Sequence, residues 1–114
     1  MRKVPTFTAH IYVGTRTRYS GEVYGVQMAR EWLHKHVNKD PLCVTLTETE
    51  FIYTDGGEPG LVIGLIDYPR FPSQHEAIKE RARRIALAML RMYQQGKVSI
   101  VFSDETEMYE AEEL

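Results

Sequence analysis

The 114-residue sequence carries a formal net charge of −2, with 43% hydrophobic and 26% charged residues. Such a chain can bury one core without disulfides or a structural metal and is too short for two ordinary domains, so 1–114 is read as a single α+β domain. The charge balance excludes a global basic field for polymeric nucleic acid, and no apolar run of about 18 residues is present to span a bilayer.

Residues 6–13 alternate. Phe7, Ala9, Ile11 and Val13 share one face, and Thr8, His10 and Tyr12 the other, which predicts a half-buried strand ended by Gly14. After a loop over 14–19, Ser20 is placed to cap a helix, with Glu22 in its first turn. Val23, Val26, Leu33 and Val37 trace the buried stripe of that helix through about Val37. Pro41 disfavours helix at Asp40, so 38–41 is a turn. Residues 42–54 are rich in β-branched side chains and predict a long or bulged strand. Cys43, the only cysteine, reads as an inert strand residue. With one thiol and no signal-like N-terminus, the expected location is the cytoplasm.

Residues 55–60 read as a turn and the apolar 61–68 as a central strand, paired to its predecessor as a hairpin. Two prolines stiffen 68–72. Ser73 and Glu76 match a capping box that opens a helix over 74–95. Its inward stripe is Ile78, Ala82, Ile85, Ala86, Met89 and Tyr93, and Gly96 is its stop. A strand over 97–102 and a short edge strand over 106–109 follow. The segment 103–114 holds six acidic residues and is expected to fray at its end.

The order β-α-β-β-α-β(β), with right-handed crossovers, points to a ferredoxin-like sheet with two helices on one face. The other face, with Tyr12, Thr45, Thr47 and Phe51, is half apolar, which favours a homo-oligomer, a dimer or higher. The first and third strands are read as running parallel. The loops 15–19 and 69–72 would then share one end of the sheet, above two helix N-termini whose free N–H groups and dipoles favour an anion. Arg16, Arg18 and Arg70 add guanidinium charge suited to phosphate, and Ser73 adds a hydroxyl. Tyr19 and Phe71 offer flat faces for a base. Together these residues predict a pocket for a small nucleotide-like ligand.

No other motif carries chemistry. His34 and His36 are two apart on a helix and cannot easily share a metal, and His10 and His75 are isolated. Asp55 to Glu58 lacks the ligand spacing of an EF-hand, and there is no phosphate-binding loop or nucleophile elbow. Lys79, Arg83, Arg84 and Arg91 are expected to form a solvated helix face, partly paired with Glu76 and Glu80. The expectation is no catalytic residue, no metal and no cofactor.

Several stretches resemble a family of small bacteriophage proteins. They are Ile11-Tyr12-Val13-Gly14, Leu42-Cys43-Val44-Thr45, the run from Glu50 through Asp55-Gly56-Gly57 to Gly60, and Tyr68-Pro69-Arg70-Phe71-Pro72. The family is that of the signal sponges that counter the Thoeris defence. The resemblance implies an α+β oligomer in the host cytoplasm that binds cyclic ADP-ribose isomers without cleaving them, and in some members cyclic oligonucleotides. Arginine and phenylalanine contact phosphate and base in that family. This implies Arg16 or Arg18, and Phe71, with Arg70 and Arg81 placed near the second loop. The implied function is non-catalytic sequestration of a cyclic nucleotide immune signal. Two other readings stay open. One is a small nucleotide-processing enzyme with His10, His75 or Glu50 as acid or base. The other is an interaction module that blocks a host protein through its sheet face or acidic tail.

Overall fold

Alternation in the first strand sets the frame. Of β1 (Thr8–Gly14), Ala9, Ile11 and Val13 are wholly buried, while His10 and Tyr12 face out. In the computed structural model, which describes residues 1–66 and 74–114, six further elements follow β1. These are α1 (Gln27–Lys39), β2 (Val44–Tyr53), β3 (Gly56–Ile66), α2 (His75–Met92), β4 (Lys97–Phe102) and β5 (Thr106–Glu110), with a 3-10 turn over Ala111–Glu113. The sheet order is β2-β3-β1-β4-β5, and every pairing is antiparallel. This is the ferredoxin-like order with one strand added beyond β4. Both helices pack on the face that carries Ile11, Ile63 and Ile100. The opposite face carries Tyr12, Thr45, Thr47 and Phe51 as expected, with the Tyr12 and Phe51 rings 6.3 Å apart.

The antiparallel pairing of β1 and β3 corrects the expectation that they run parallel. A crossover through α1 returns β2 in the direction of β1, and the hairpin then reverses β3. Gly14 lies opposite Gly60, and Thr8 opposite Ile66. The loop after β1 and the chain leaving β3 are therefore at opposite ends of the sheet. Seven residues of β1 separate them, on the order of 20 Å.

The first helix starts at Gln27 rather than after Ser20. Residues 15–24 fold back as a small hairpin instead. Thr17 N–H donates to the Glu22 carbonyl at 2.6 Å, and Tyr24 N–H to that of Thr15 at 2.9 Å. Gly21 sits at φ 73° in its turn, a conformation that disfavours other residues. The Ser20 hydroxyl is held at 2.5 Å from the Thr17 hydroxyl and accepts from Glu22 N–H, so it closes this turn and caps no helix. Local side-chain bonding of this kind competes with helix.

The β2–β3 hairpin is tighter than expected. Gly56 already pairs with Tyr53, so the predicted turn over 55–60 is mostly strand, and Asp55 takes the left-handed conformation at φ 63°. Pro59 is tolerated inside β3 because it lies one residue past the last β1 partner, Gly60, where no ladder N–H is needed on that side. At Gly60 the chain comes close to its neighbours. A Cβ there would lie 2.7 Å from the Val13 carbonyl oxygen and would run into the Phe51 ring. Gly60→Ala is expected to lower stability by about 1–3 kcal/mol by overpacking, read from a denaturant midpoint with an unchanged slope.

Seven side chains of α2 are buried, Ala82, Ile85, Ala86 and Met89 completely. Its end is also a correction. Gly96 does not stop it; Gln94 does, at φ 50°. Gln95 N–H bonds to the Leu90 carbonyl at 2.9 Å and Gln94 N–H to that of Arg91 at 3.2 Å, the two bonds of a Schellman ending. Ser73 and its predicted capping bond lie outside the described residues, and Gln74 makes no side-chain cap.

Candidate functional site

Of the residues expected to form one pocket, the described ones fall at two ends of the sheet. Arg16, Arg18 and Tyr19 lie on the small hairpin beyond β1. Arg70, Phe71 and Ser73 lie outside the described residues. Arg81, on α2, makes an ion pair with Asp40 at 3.4 Å. Asp40 follows the C-terminal end of α1 and also meets Arg84 at 3.5 Å, so Arg81 and Arg84 together fasten that end of α1 to α2. Because α1 runs back against β1, this contact is at the end of the sheet far from Arg16 and Arg18. Arg81 therefore does not share a region with Arg16, Arg18 and Tyr19.

At the β1 end, a groove of about 500 Å³ is bordered by Arg16, Arg18, Glu58, Lys97 and Glu112. The Arg16 guanidinium donates to the Gly21 carbonyl at 3.2 Å. Arg18 is ion-paired with Glu112 and lies 5.5 Å from the centre of the Tyr19 ring. Hydrogen bonding to Glu112 raises the Arg18 pKa, and the same bond holds the Glu112 carboxyl below the usual range. The Gln95 amide donates to the Arg16 carbonyl at 2.7 Å and pins the loop. The groove is mixed in charge, and no helix N-terminus opens into it, since α1 begins later.

A second concavity, about 360 Å³, lies between the C-terminal half of α1 and β2. Its walls are aliphatic, and Arg30, His34 and Cys43 border it. Sequence reading passed over it. The available signal was the thin inward stripe of α1, which buries only Ala29 and Leu33.

The three residues considered as acid or base are not brought together. His75 stacks on Phe7 with ring centres 4.2 Å apart. His10 lies on the open sheet face opposite Gly64, and Glu50 is exposed near the far end of the hairpin. The acidic segment also differs from expectation. Asp104 and Glu105 hold the nearly buried Lys79 at 3.0 and 2.8 Å. Glu107 chelates Arg83, and Glu112 meets Arg18. Four of the acidic groups proposed for a partner protein are thus bonded within the chain. Among the described residues no three His, Cys, Asp or Glu side chains gather as metal ligands would, and no helix is long and apolar enough to cross a membrane.

The structure is a ferredoxin-like α+β protein built around a five-stranded sheet. No protein-family model and no curated protein matches the sequence. Among solved structures, the fold is shared with a phage SAM lyase. Its complex with S-methyl-5′-thioadenosine aligns at a TM-score of 0.76 and 15% identity, over 94% of this chain and 91% of that one. Its apo state aligns at 0.77 and 15% identity, over 93% and 90%. These structures are of a phage lyase and not of a signal sponge. The expectation of a non-enzyme is therefore corrected: the two solved structures aligned here are those of an enzyme.

Proposed function

We propose that the protein binds an adenosine-containing sulfonium such as S-adenosylmethionine and cleaves it as a lyase. One observation carries the reading: the likeness to the SAM lyase covers nearly the whole of both chains, with no large insertion that would mark a different architecture. Fold alone does not fix function, so the reading rests on a reaction that can be measured directly. In a lyase reaction on this substrate, the bond between sulfur and the four-carbon amino-acid group breaks without water. Its electron pair goes to sulfur, which becomes the neutral thioether of S-methyl-5′-thioadenosine. The carbon left behind is closed by the substrate's own carboxylate, giving a lactone, or loses a neighbouring proton, giving an alkene. Both courses balance without an oxidant or a second substrate.

The experiment is incubation of the purified chain with S-adenosylmethionine, followed by chromatographic separation of the products. Formation of S-methyl-5′-thioadenosine in proportion to enzyme is the expected outcome. Tight binding of a ligand that is returned unchanged would overturn the lyase reading in favour of a binding protein, and cyclic ADP-ribose isomers belong in the same panel for that reason.

A further inference from the structure

The groove at the β1 end collects charges of both signs that the chain itself does not satisfy. Arg18 and Glu112 neutralise each other there. Arg16, Lys97 and Glu58 also border it, and among the described residues none of these three makes an ion pair. The Arg16 guanidinium uses one donor on the Gly21 carbonyl and keeps the others. The Gln95 amide is fixed in orientation, because its nitrogen donates to two carbonyls, that of Arg16 at 2.7 Å and that of Tyr93 at 3.0 Å. Its oxygen Oε1 accepts from no donor among the described residues. A Cβ on Gly14 would stand 2.6 Å from Gln95 Oε1 and 3.3 Å from Glu58 Oε1. Two unsatisfied acceptors thus face one small space, which stays open because residue 14 has no side chain. Half-buried acceptors without a donor are uncommon and call for an explanation.

We propose that this groove holds the α-amino-acid headgroup of the ligand, an inference that rests on the reading of that ligand as S-adenosylmethionine. An ammonium offers only donors, which Glu58 and Gln95 Oε1 lack. The carboxylate beside it offers only acceptors, which Arg16 and Lys97 lack. A guanidinium can take that carboxylate through two parallel bonds, with the lysine as a point charge. The set of charges discriminates. A phosphate would be met by Arg16 and Lys97 but repelled by Glu58, and a simple cation would meet the reverse; a zwitterion uses both sets. At about 500 Å³ the groove falls within the range of small-molecule sites. Its two sides are tied together before any ligand arrives. Thr15 N–H donates to the Pro59 carbonyl at 3.1 Å, which joins the loop bearing Arg16 to the strand bearing Glu58. Geometry held in advance lowers the ordering cost of binding. The cleft between α1 and β2 is the rival location, but its walls are mostly aliphatic and no carboxylate borders it to meet an ammonium.

Two ligands separate the headgroup from the nucleoside. S-adenosylhomocysteine carries the amino-acid tail on a neutral thioether, and S-methyl-5′-thioadenosine lacks the tail. Calorimetric titration of the purified chain is expected to show the first bound more tightly. Arg16→Gln and Glu58→Gln each remove one charge from the groove. Each should weaken S-adenosylhomocysteine about tenfold or more, as loss of a bond to a charged group does, and leave S-methyl-5′-thioadenosine within about twofold. Arg16 is exposed, Glu58 is half-buried and neither is ion-paired, so the thermal midpoints should hold. Equal weakening of both ligands, or of neither, overturns the headgroup site. If the parent then still forms S-methyl-5′-thioadenosine from S-adenosylmethionine, the lyase reading stands without it. Selective loss of S-adenosylhomocysteine, in variants of a chain that leaves S-adenosylmethionine intact, supports the headgroup site and overturns the lyase reading. A parent chain that binds neither ligand overturns both.

Discussion

Tyr93→Ala is expected to lower stability by about 3–5 kcal/mol, the range for removing a buried aromatic side chain. Tyr93 has no exposed surface and is the largest fully buried side chain among the described residues. It sits just past the end of α2, where the left-handed Gln94 turns the chain toward β4. Its hydroxyl donates to the Gly25 carbonyl at 2.7 Å and accepts from the Ala29 N–H at 3.1 Å. The Gly25 carbonyl lies just before α1, and the Ala29 N–H belongs to its first turn, one of the four donors without an intrahelical partner. No side chain caps α1 otherwise, and Val26 stands at its cap position. The phenol of one helix end thus does the capping work at the start of the other. Tyr93→Phe separates packing from polar loss: it keeps the ring and removes both bonds, and should lower stability by about 1–3 kcal/mol. Burial pushes the Tyr93 phenol above its ordinary range, so neither bond is lost to ionisation near neutral pH. Chemical denaturation of both variants reads the two effects. A phenylalanine variant as stable as the parent would show that the hydroxyl bonds contribute nothing. Because Tyr93 fixes where α1 begins, the same variant should also change the cleft between α1 and β2, visible as altered thiol labelling of Cys43.

Much of this arrangement was legible in the sequence. Alternation at Ala9, Ile11 and Val13 identified the central strand, and the 3.6-residue stripe through Ile78, Ile85 and Met89 identified α2, because burial on one face dictates both periods. Right-handed connections then favoured a ferredoxin-like topology but did not fix the order of the strands. What failed was geometry that periodicity does not encode. Ser20 with Glu22 reads as a helix start, yet the same hydroxyl can close a turn with Thr17, and the buried Thr17 decided for the turn. Gly96 reads as a helix stop, but Gln94 adopts the left-handed turn two residues earlier. Arg16 and Arg18 lie far from Arg81 for a topological reason. A hairpin reverses β3 relative to β1, which carries Arg16 and Arg18 to one end and leaves Arg81 at the other. Side-chain chemistry in a loop was readable; which loops meet was not. The cleft beside Cys43 went unseen because it arises from incomplete packing, and a thin apolar stripe on α1 was the only trace of it.

Arg83→Met should cost about 3 kcal/mol at neutral pH. That is the low end for breaking a buried pair, since part of each side chain still meets water. Arg83 grips Glu107 with two parallel bonds, Nε to Oε1 at 2.8 Å and Nη2 to Oε2 at 2.6 Å. The Tyr109 hydroxyl donates to the same carboxylate at 2.8 Å. This cluster, with Lys79 between Asp104 and Glu105, fastens α2 to the β4–β5 hairpin at the free edge of the sheet. Lys79 also lies 5.3 Å from the centre of the Phe102 ring, so its charge faces an aromatic surface as well as two carboxylates. The pH dependence follows in sign. Hydrogen bonding to Arg83, then to Tyr109, holds the Glu107 carboxyl below the usual range against the opposing effect of burial. Its contribution is therefore complete above the unfolded value near pH 4 and is lost as pH falls through the lower folded value. Lys79 is raised, by its bonds to Glu105 and then Asp104, so its contribution is complete below about pH 10 and is lost as pH rises through the folded value. Thermal midpoints should therefore hold level between about pH 5 and 10 and fall on both sides. In Arg83→Met the plateau should drop, and the acid limb should become shallower, because the Glu107 carboxyl no longer has the partner that chiefly holds it below its unfolded value. The gap between parent and variant should close as acid protonates Glu107 in both. A gap that stays constant from pH 7 to pH 2 would mean that Arg83 stabilises the edge by packing its aliphatic stem on Phe102 rather than by its charge.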